Sequence, residues 1–480
     1  MISQKLLSLL QSFSKSEMKS FSKFLRSPFH NENEELVQLF NLINLEFQKT
    51  AIDINENSQF EKNVVWFKIK KNEPYKDEQL RRLCSDLTKQ AYSFLAHKNL
   101  KENPINEIVY LLPEINTPKL NKHFAGTIRQ AIQIQNKSKL KNADYHFSEY
   151  KINFQQYVNV EKNTPNLPNF KYIEKADYHL DAYYILNKLK NYCDFLIYKN
   201  IITVNPSIYL FPNFLENLKS SPYIEEPCIK VYYNIVSMLI SPEEESFYHN
   251  AKKISEENFD SFSHQELNTI YIYLKNYCID TKINKGKSEY FHELFAISKT
   301  LLKKEINFTN GMIRQQDYKN IITVGLHIKE FDWTENFIQK YTNRLPKESQ
   351  DSDLSYNLAK VHFHKKEYEK VIEKLRFVEY KTLPYTMGGR LMLLKTYYEL
   401  KELDALESLL DSYSIYLRRN KFISREVKQQ LMNGIRFTRK LSSLAPYDKR
   451  GIQKLKDQIN NCKALAAKKW LIEKVDELVN

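Results

Sequence analysis

Glycine is almost absent from this chain. There are 8 in 480 residues, the first at Gly126, against an average usage of about 7%. Glycine supplies the left-handed backbone that tight hairpins and phosphate-cradling loops require. Phosphate-binding loops that depend on clustered glycines are thereby excluded from the N-terminal quarter. No G-x-G-x-x-G occurs, which removes the basis for a Rossmann-type dinucleotide site. Apolar residues recur at spacings of three and four nearly throughout, and strict alternation is almost nowhere. That periodicity predicts helices.

Local signals place several of them. Ser14-Lys15-Ser16-Glu17 reads as a capping box, with Met18, Phe21 and Leu25 on one face and Ser27-Pro28 as the stop. Asn31 is the expected N-cap of a helix carrying Leu36, Leu39, Phe40, Ile43 and Phe47. Asp77 is the expected cap of another, which buries Leu80, Leu83, Leu87, Ala91 and Phe94.

Repeats appear next. Ala143-Asp144-Tyr145-His146 recurs as Ala176-Asp177-Tyr178-His179, 33 residues on, a period typical of two-helix repeats. In the C-terminal half, Leu358-Ala359, Phe363, Tyr368, Ile372, Leu375 and Val378 form a pattern. Leu393, Tyr397-Tyr398, Leu403, Leu406 and Leu410 repeat it, as do Thr323-Val324, Ile328, Trp333 and Phe337. Trp333, Tyr368 and Leu403 are the expected bulky anchors of each second helix, 35 residues apart. Over residues 312–420 this resembles the tetratricopeptide superfamily, with Asn336, Val371 and Leu406 where that family carries a small residue.

The resemblance implies an all-α fold: a right-handed α-solenoid of antiparallel helix pairs in which neighbours share one core. The expected organisation is an N-terminal helical subdomain (1–105), irregular helix pairs (119–310), tetratricopeptide-like repeats (311–422) and basic capping helices (423–480). Most of the chain also resembles a family of uncharacterised, all-helical bacterial proteins. Ser27-Pro28-Phe29, Leu80-Arg81, Ser85-Asp86-Leu87, Asn276-Tyr277-Cys278, Asp332-Trp333, Tyr397-Tyr398-Glu399-Leu400 and the run Tyr416 to Lys421 carry that likeness. It implies no activity.

The chemistry-bearing motifs fall away on inspection. Thr281 to Ser288 ends in Gly286-Lys287-Ser288 but has Thr281 where a phosphate loop has its first glycine, and it follows an expected helix rather than a strand. His292-Glu293 lacks the second histidine of a zinc helix, Ala296 standing there. His327 and His362 stand 35 residues apart, as repeat packing produces. No nucleophile–base constellation is readable, so no catalytic, cofactor or metal residue is nominated and the expected role is non-enzymatic. The five cysteines are scattered and never C-x-x-C, which fits a reducing interior rather than a disulfide framework. The stretch around Leu6 to Leu10 is too short for a signal-peptide core, and no apolar run nears the roughly 20 residues of a membrane span. The expected location is cytoplasmic.

Charge is the remaining signal. The chain carries a net +14, and residues 411–480 hold 16 Lys and Arg against seven Asp and Glu. Arg425, Lys428, Arg436, Arg439 and Lys440 cover one arc of a helix following Ser424, and Arg418 and Arg419 precede it. The tetratricopeptide resemblance places Tyr356, Lys360, His364, Lys395 and Tyr398 on a concave groove. Aromatic and basic residues together suit an acidic, partly apolar peptide. The leading expectation is therefore a scaffold binding a protein or peptide partner through groove and cap. The alternative is a nucleic-acid-binding regulator using the basic C-terminal helices, a helix bearing Arg81, Arg82, Ser85 and Lys89, or both.

Overall fold

The computed structural model describes residues 1–49, 58–71, 73–163, 170–199, 213–376, 383–445 and 448–479. Among them the chain is all-helical, with 23 α-helices and a single two-stranded ribbon. The ribbon pairs Phe308 with Ile313 and Thr309 with Met312. Asn310 and Gly311, both at positive φ, close it as the two-residue turn that an Asn-Gly pair favours. Val378 lies outside the described residues. The chain divides into two compact units, residues 1–192 with 209–229, and residues 193–208 with 230–480.

In the first unit the local signals hold where they are strongest. Ser14 Oγ accepts from the Glu17 amide and the Glu17 carboxylate accepts from the Ser14 amide, so helix Lys15–Leu25 opens with a full capping box. Met18, Phe21 and Leu25 are buried, and Phe21 meets Phe40 edge-on at 5.1 Å. Two caps differ from expectation. Asn33, not Asn31, caps helix Glu34–Phe47; Asn31 instead ties the preceding turn to the Leu25 carbonyl. Asp77 is the first helical residue of Asp77–Glu102 rather than its cap. Its carboxylate is already taken by Lys62, Tyr75 and Arg81.

In the second unit, three helix hairpins share one turn. Helices Gln315–His327 and Phe331–Tyr341, Gln350–His364 and Tyr368–Leu375, and Leu383–Glu399 and Leu403–Arg419 are each joined through a lysine in the left-handed conformation. These are Lys329, Lys366 and Lys401, with φ of 66°, 61° and 60°. The next amide closes back onto the helix each time: Glu330 to the Gly325 carbonyl, Glu367 to His362 and Glu402 to Tyr397, at 2.9–3.0 Å. This is the Schellman closure, made here with lysine in the place glycine usually takes.

The common turn aligns the three helix pairs differently from the 35-residue spacing of Trp333, Tyr368 and Leu403. Counting from it, Phe331, Tyr368 and Leu403 are equivalent, and Trp333 is not. Trp333 instead packs on Phe295 and stacks on Phe337. The small-residue position then falls at Thr334, Val371 and Leu406, all buried, rather than at Asn336. His327 becomes equivalent to His364 and not to His362. Gly325 is needed at the first of these crossings, because a Cβ there would run into the Thr334 hydroxyl. Helices 315–327, 350–364 and 383–399 also pack one on the next, each beside its own hairpin partner.

Candidate functional site

The same faces of those three first helices line a hollow of about 450 Å³. Six residues before each turn lysine stand Thr323, Lys360 and Lys395; two before stand His327, His364 and Glu399. All but Glu399 line the hollow, together with Tyr356 and Phe363. Gly388 sets its floor, since any Cβ there would occupy the place of the Tyr356 hydroxyl.

Its electrostatics are one-sided. Lys360 and Lys395 are half-buried and form no ion pair among the described residues. Lys360 lies 5.0 Å from the Tyr356 ring centre, and Lys395 lies 5.7 Å from Phe363 and 5.8 Å from Trp470. Burial holds the Lys360 ammonium below its ordinary pKa, helped by the charge of Lys319 and opposed by Asp353. Burial lowers Lys395 too, against Glu473 and Glu399. His364 reaches solvent at its rim, yet the protein packed around it and then the charges of Lys395, Lys360 and His327 keep its ring below the usual histidine range. Two ammonium groups and two imidazole rings thus converge with aromatic surface between them. Beneath them Asp353 is fully buried, held by Tyr385 and Gln315.

A second hollow of about 540 Å³ adjoins the first and shares Phe363, His364 and Lys395 with it. Its far wall is helix Lys468–Val479. That helix is clamped by Trp470 Nε1 donating to the Glu399 carboxylate at 2.9 Å and by Lys474 bridging Glu399 and Glu477. Tyr398 does not line either hollow; it packs edge-on against Trp470 at 5.3 Å. The contribution of helix 468–479 is what sequence reasoning missed, because its partners lie some 70 residues away and leave no local trace.

The basic C-terminal residues separate into used and unused. Arg439 is neutralised by Glu407 and Asp411 at 2.7 and 2.6 Å, which removes it from the free cationic face. Arg436 and Lys440 on helix Arg425–Ser442 face Arg450 and Lys454 on helix Lys449–Asn461 around a hollow of about 830 Å³. Arg418, Arg419 and Arg425 are exposed and Lys428 is half-buried. In the first unit, Arg81 pairs with Asp77, and Arg82 and Lys89 both approach Asp86. These three cations pair with carboxylates on the helix itself, two of them sharing Asp86.

Elsewhere the discarded motifs have structural occupations. Lys282 is buried against Glu245 at the end of a π-helical turn, and Lys285 and Lys287 pair with Glu243 and Glu245. His362 bonds the Glu367 carboxylate at 2.7 Å. Among the described residues no cluster of three or more His, Cys, Asp or Glu has a metal-holding arrangement, and no helix is long and apolar enough to cross a membrane. Comparison with protein-family models, with curated proteins and with solved structures found no match for this chain.

Proposed function

We propose that this protein is a non-enzymatic helical-repeat scaffold whose second unit is a right-handed, tetratricopeptide-like solenoid of antiparallel pairs. The groove along its first helices binds an acidic segment of a partner protein. The carrying observation is that Lys360 and Lys395, at one repeat position, hold half-buried charges with no ion-pair partner among the described residues. A charge kept partly out of water without a partner costs stability. A carboxylate-bearing ligand would offset that cost, and the Tyr356 and Phe363 rings would cover its apolar side chains. The shared turn of the three hairpins and the packing of each first helix on the next support the solenoid reading. Four buried cysteines, none of them disulfide-bonded, fit a cytoplasmic setting.

The test is a titration with a fluorescein-labelled 12-residue peptide of alternating Glu and Leu, read by anisotropy beside its Gln counterpart. The expected result is saturable binding of the Glu peptide alone, lost in Lys360→Glu with Lys395→Glu. Equal behaviour of the two peptides, or a Glu peptide indifferent to that double substitution, rejects the groove reading.

A further inference from the structure

The hollow between helices 425–442 and 449–461 is built from two like-charge pairs. Arg436 and Lys440 are four residues apart on one helix, and Arg450 and Lys454 are four apart on the other. Cations at that spacing repel one another within a helix. Here two such pairs face one hollow, and none of the four makes an ion pair among the described residues. Asp457, the one carboxylate on the lining, accepts from Gln453. Lys440 donates to the Gln458 side chain and Arg436 lies over the Phe437 ring. The neighbouring Arg439 has both its carboxylates, so acidic groups stand on that flank and the four hollow cations are left out of their reach.

A second feature lies at the other end of the same helix. Phe422, in the turn leading into it, is 89% exposed, and Arg418, Arg419, Lys421 and Arg425 flank it in sequence and are exposed too. From Arg425 to Lys440 the helix rises about 22 Å, with Lys428 between.

We propose that this cationic face binds a single-stranded nucleic acid, its phosphates held by Arg436, Lys440, Arg450 and Lys454 and a base stacked on Phe422. Guanidinium groups grip phosphate oxygens in two-point contacts, and lysines supply point charges beside them. An exposed ring in a basic setting offers a platform to an unstacked base, which a duplex does not present. A lipid surface is the poorer fit. The apolar side of helix 425–442 (Leu431, Ile435, Phe437 and Leu441) is buried in the protein, leaving no broad apolar face to insert.

The experiment uses the full chain and a fluorescein-labelled 12-mer of thymidylate, with anisotropy read at 50 and 200 mM KCl. Four phosphate contacts predict binding about 50-fold weaker at the higher salt, from a single-strand slope of roughly 0.7 per contact. Arg436→Ser with Arg450→Ser should lose at least about tenfold and flatten that salt dependence, whereas Arg439→Ser should change neither. Phe422→Ala should weaken binding about tenfold while leaving the salt slope in place. Should the double arginine variant lose its helical circular dichroism, Lys440→Gln with Lys454→Gln gives the same readings from exposed positions. Absence of binding at 50 mM KCl overturns the proposal. So does a 12-bp duplex, a 12-residue polyglutamate or a vesicle containing phosphatidylserine that binds as tightly, or an Arg439→Ser variant as impaired as the others. Lys360→Glu with Lys395→Glu should leave oligonucleotide binding intact, which separates this face from the groove.

Discussion

His146 and His179 meet ring to ring, Nδ1 to Nδ1 at 3.0 Å, from helices Ala143–Asn163 and Phe170–Lys199. One ring must donate and the other accept, so the pair cannot carry two protons on those nitrogens. His146 is almost fully buried and its Nε2 finds no partner. Burial brings both rings down to about 4, with Lys141 adding to it at His146 and His146 itself at His179.

Acid should therefore loosen the first unit. Unfolded histidine titrates near 6.5 while the folded pair stays neutral to about 4, so the unfolded state binds more protons between those values. Stability is intact above the unfolded value and falls as pH drops through that window, by roughly 2 kcal/mol per ring at pH 5. Urea denaturation at pH 7.5 and 5.0, for the wild type and for His146→Phe with His179→Phe, measures it. The double variant should show the shallower pH dependence; an identical slope in both would show that the pair does not sense acid.

The three hairpin turns make a separate prediction. A non-glycine residue in the left-handed region costs about 1 kcal/mol, and Lys329, Lys366 and Lys401 each sit there. Replacing each by glycine should stabilise the fold by about 0.5–1 kcal/mol per turn, read as a higher urea midpoint. Lys329 and Lys401 line neither hollow, so their glycine variants should leave acidic-peptide binding unchanged. A lowered midpoint in all three single variants would mean that the lysine side chains contribute more than their backbone costs.

These turns also explain what was legible in the sequence and what was not. The Ser14–Glu17 box was readable because all its atoms lie within four residues. The all-helical character was readable because periodicity is local. In the first hairpin the shared turn points to Phe331, two residues before the aromatic that the sequence favours. Trp333 is the more conspicuous aromatic, but the shared element is the Lys-Glu pair at 329–330, 366–367 and 401–402, followed by Phe331, Tyr368 and Leu403. Four of the five groove residues, Tyr356, Lys360, His364 and Lys395, do line one hollow. Tyr398 does not, because Trp470 covers it. Nothing near Tyr398 in the sequence announces a contact from 72 positions away. The Asn310-Gly311 hairpin carried a readable signal that helical periodicity on both sides masked.

The crossing at Gly325 should be specific to one neighbour. Gly325→Ala pushes a methyl into the Thr334 hydroxyl, and overpacking of this kind costs about 1–3 kcal/mol. Thr334→Ala removes the opposing oxygen, so the double variant should recover part of that loss. A double-mutant cycle by urea denaturation reads the coupling as non-additivity of about 1 kcal/mol. Strict additivity would place the strain elsewhere than at this contact.

The groove lysines should show opposite effects on stability and binding. Lys360 is half-buried without a carboxylate partner, and burial holds its pKa below the ordinary value. The folded state therefore releases that proton before the unfolded state does, and stability should climb with pH toward the ordinary lysine value near 10.4. Lys360→Met keeps an unbranched apolar side chain at this position while deleting the charge that lies over the Tyr356 ring. It should stabilise the fold by about 1 kcal/mol, flatten the alkaline rise and abolish acidic-peptide binding. A residue placed only for packing would behave otherwise: methionine would be neutral for binding, and the charged wild type would be no less stable than the variant. Denaturation curves at pH 7 and 9.5, run beside the peptide titration, distinguish the two. A more stable protein that no longer binds is the signature of a charge retained for a ligand.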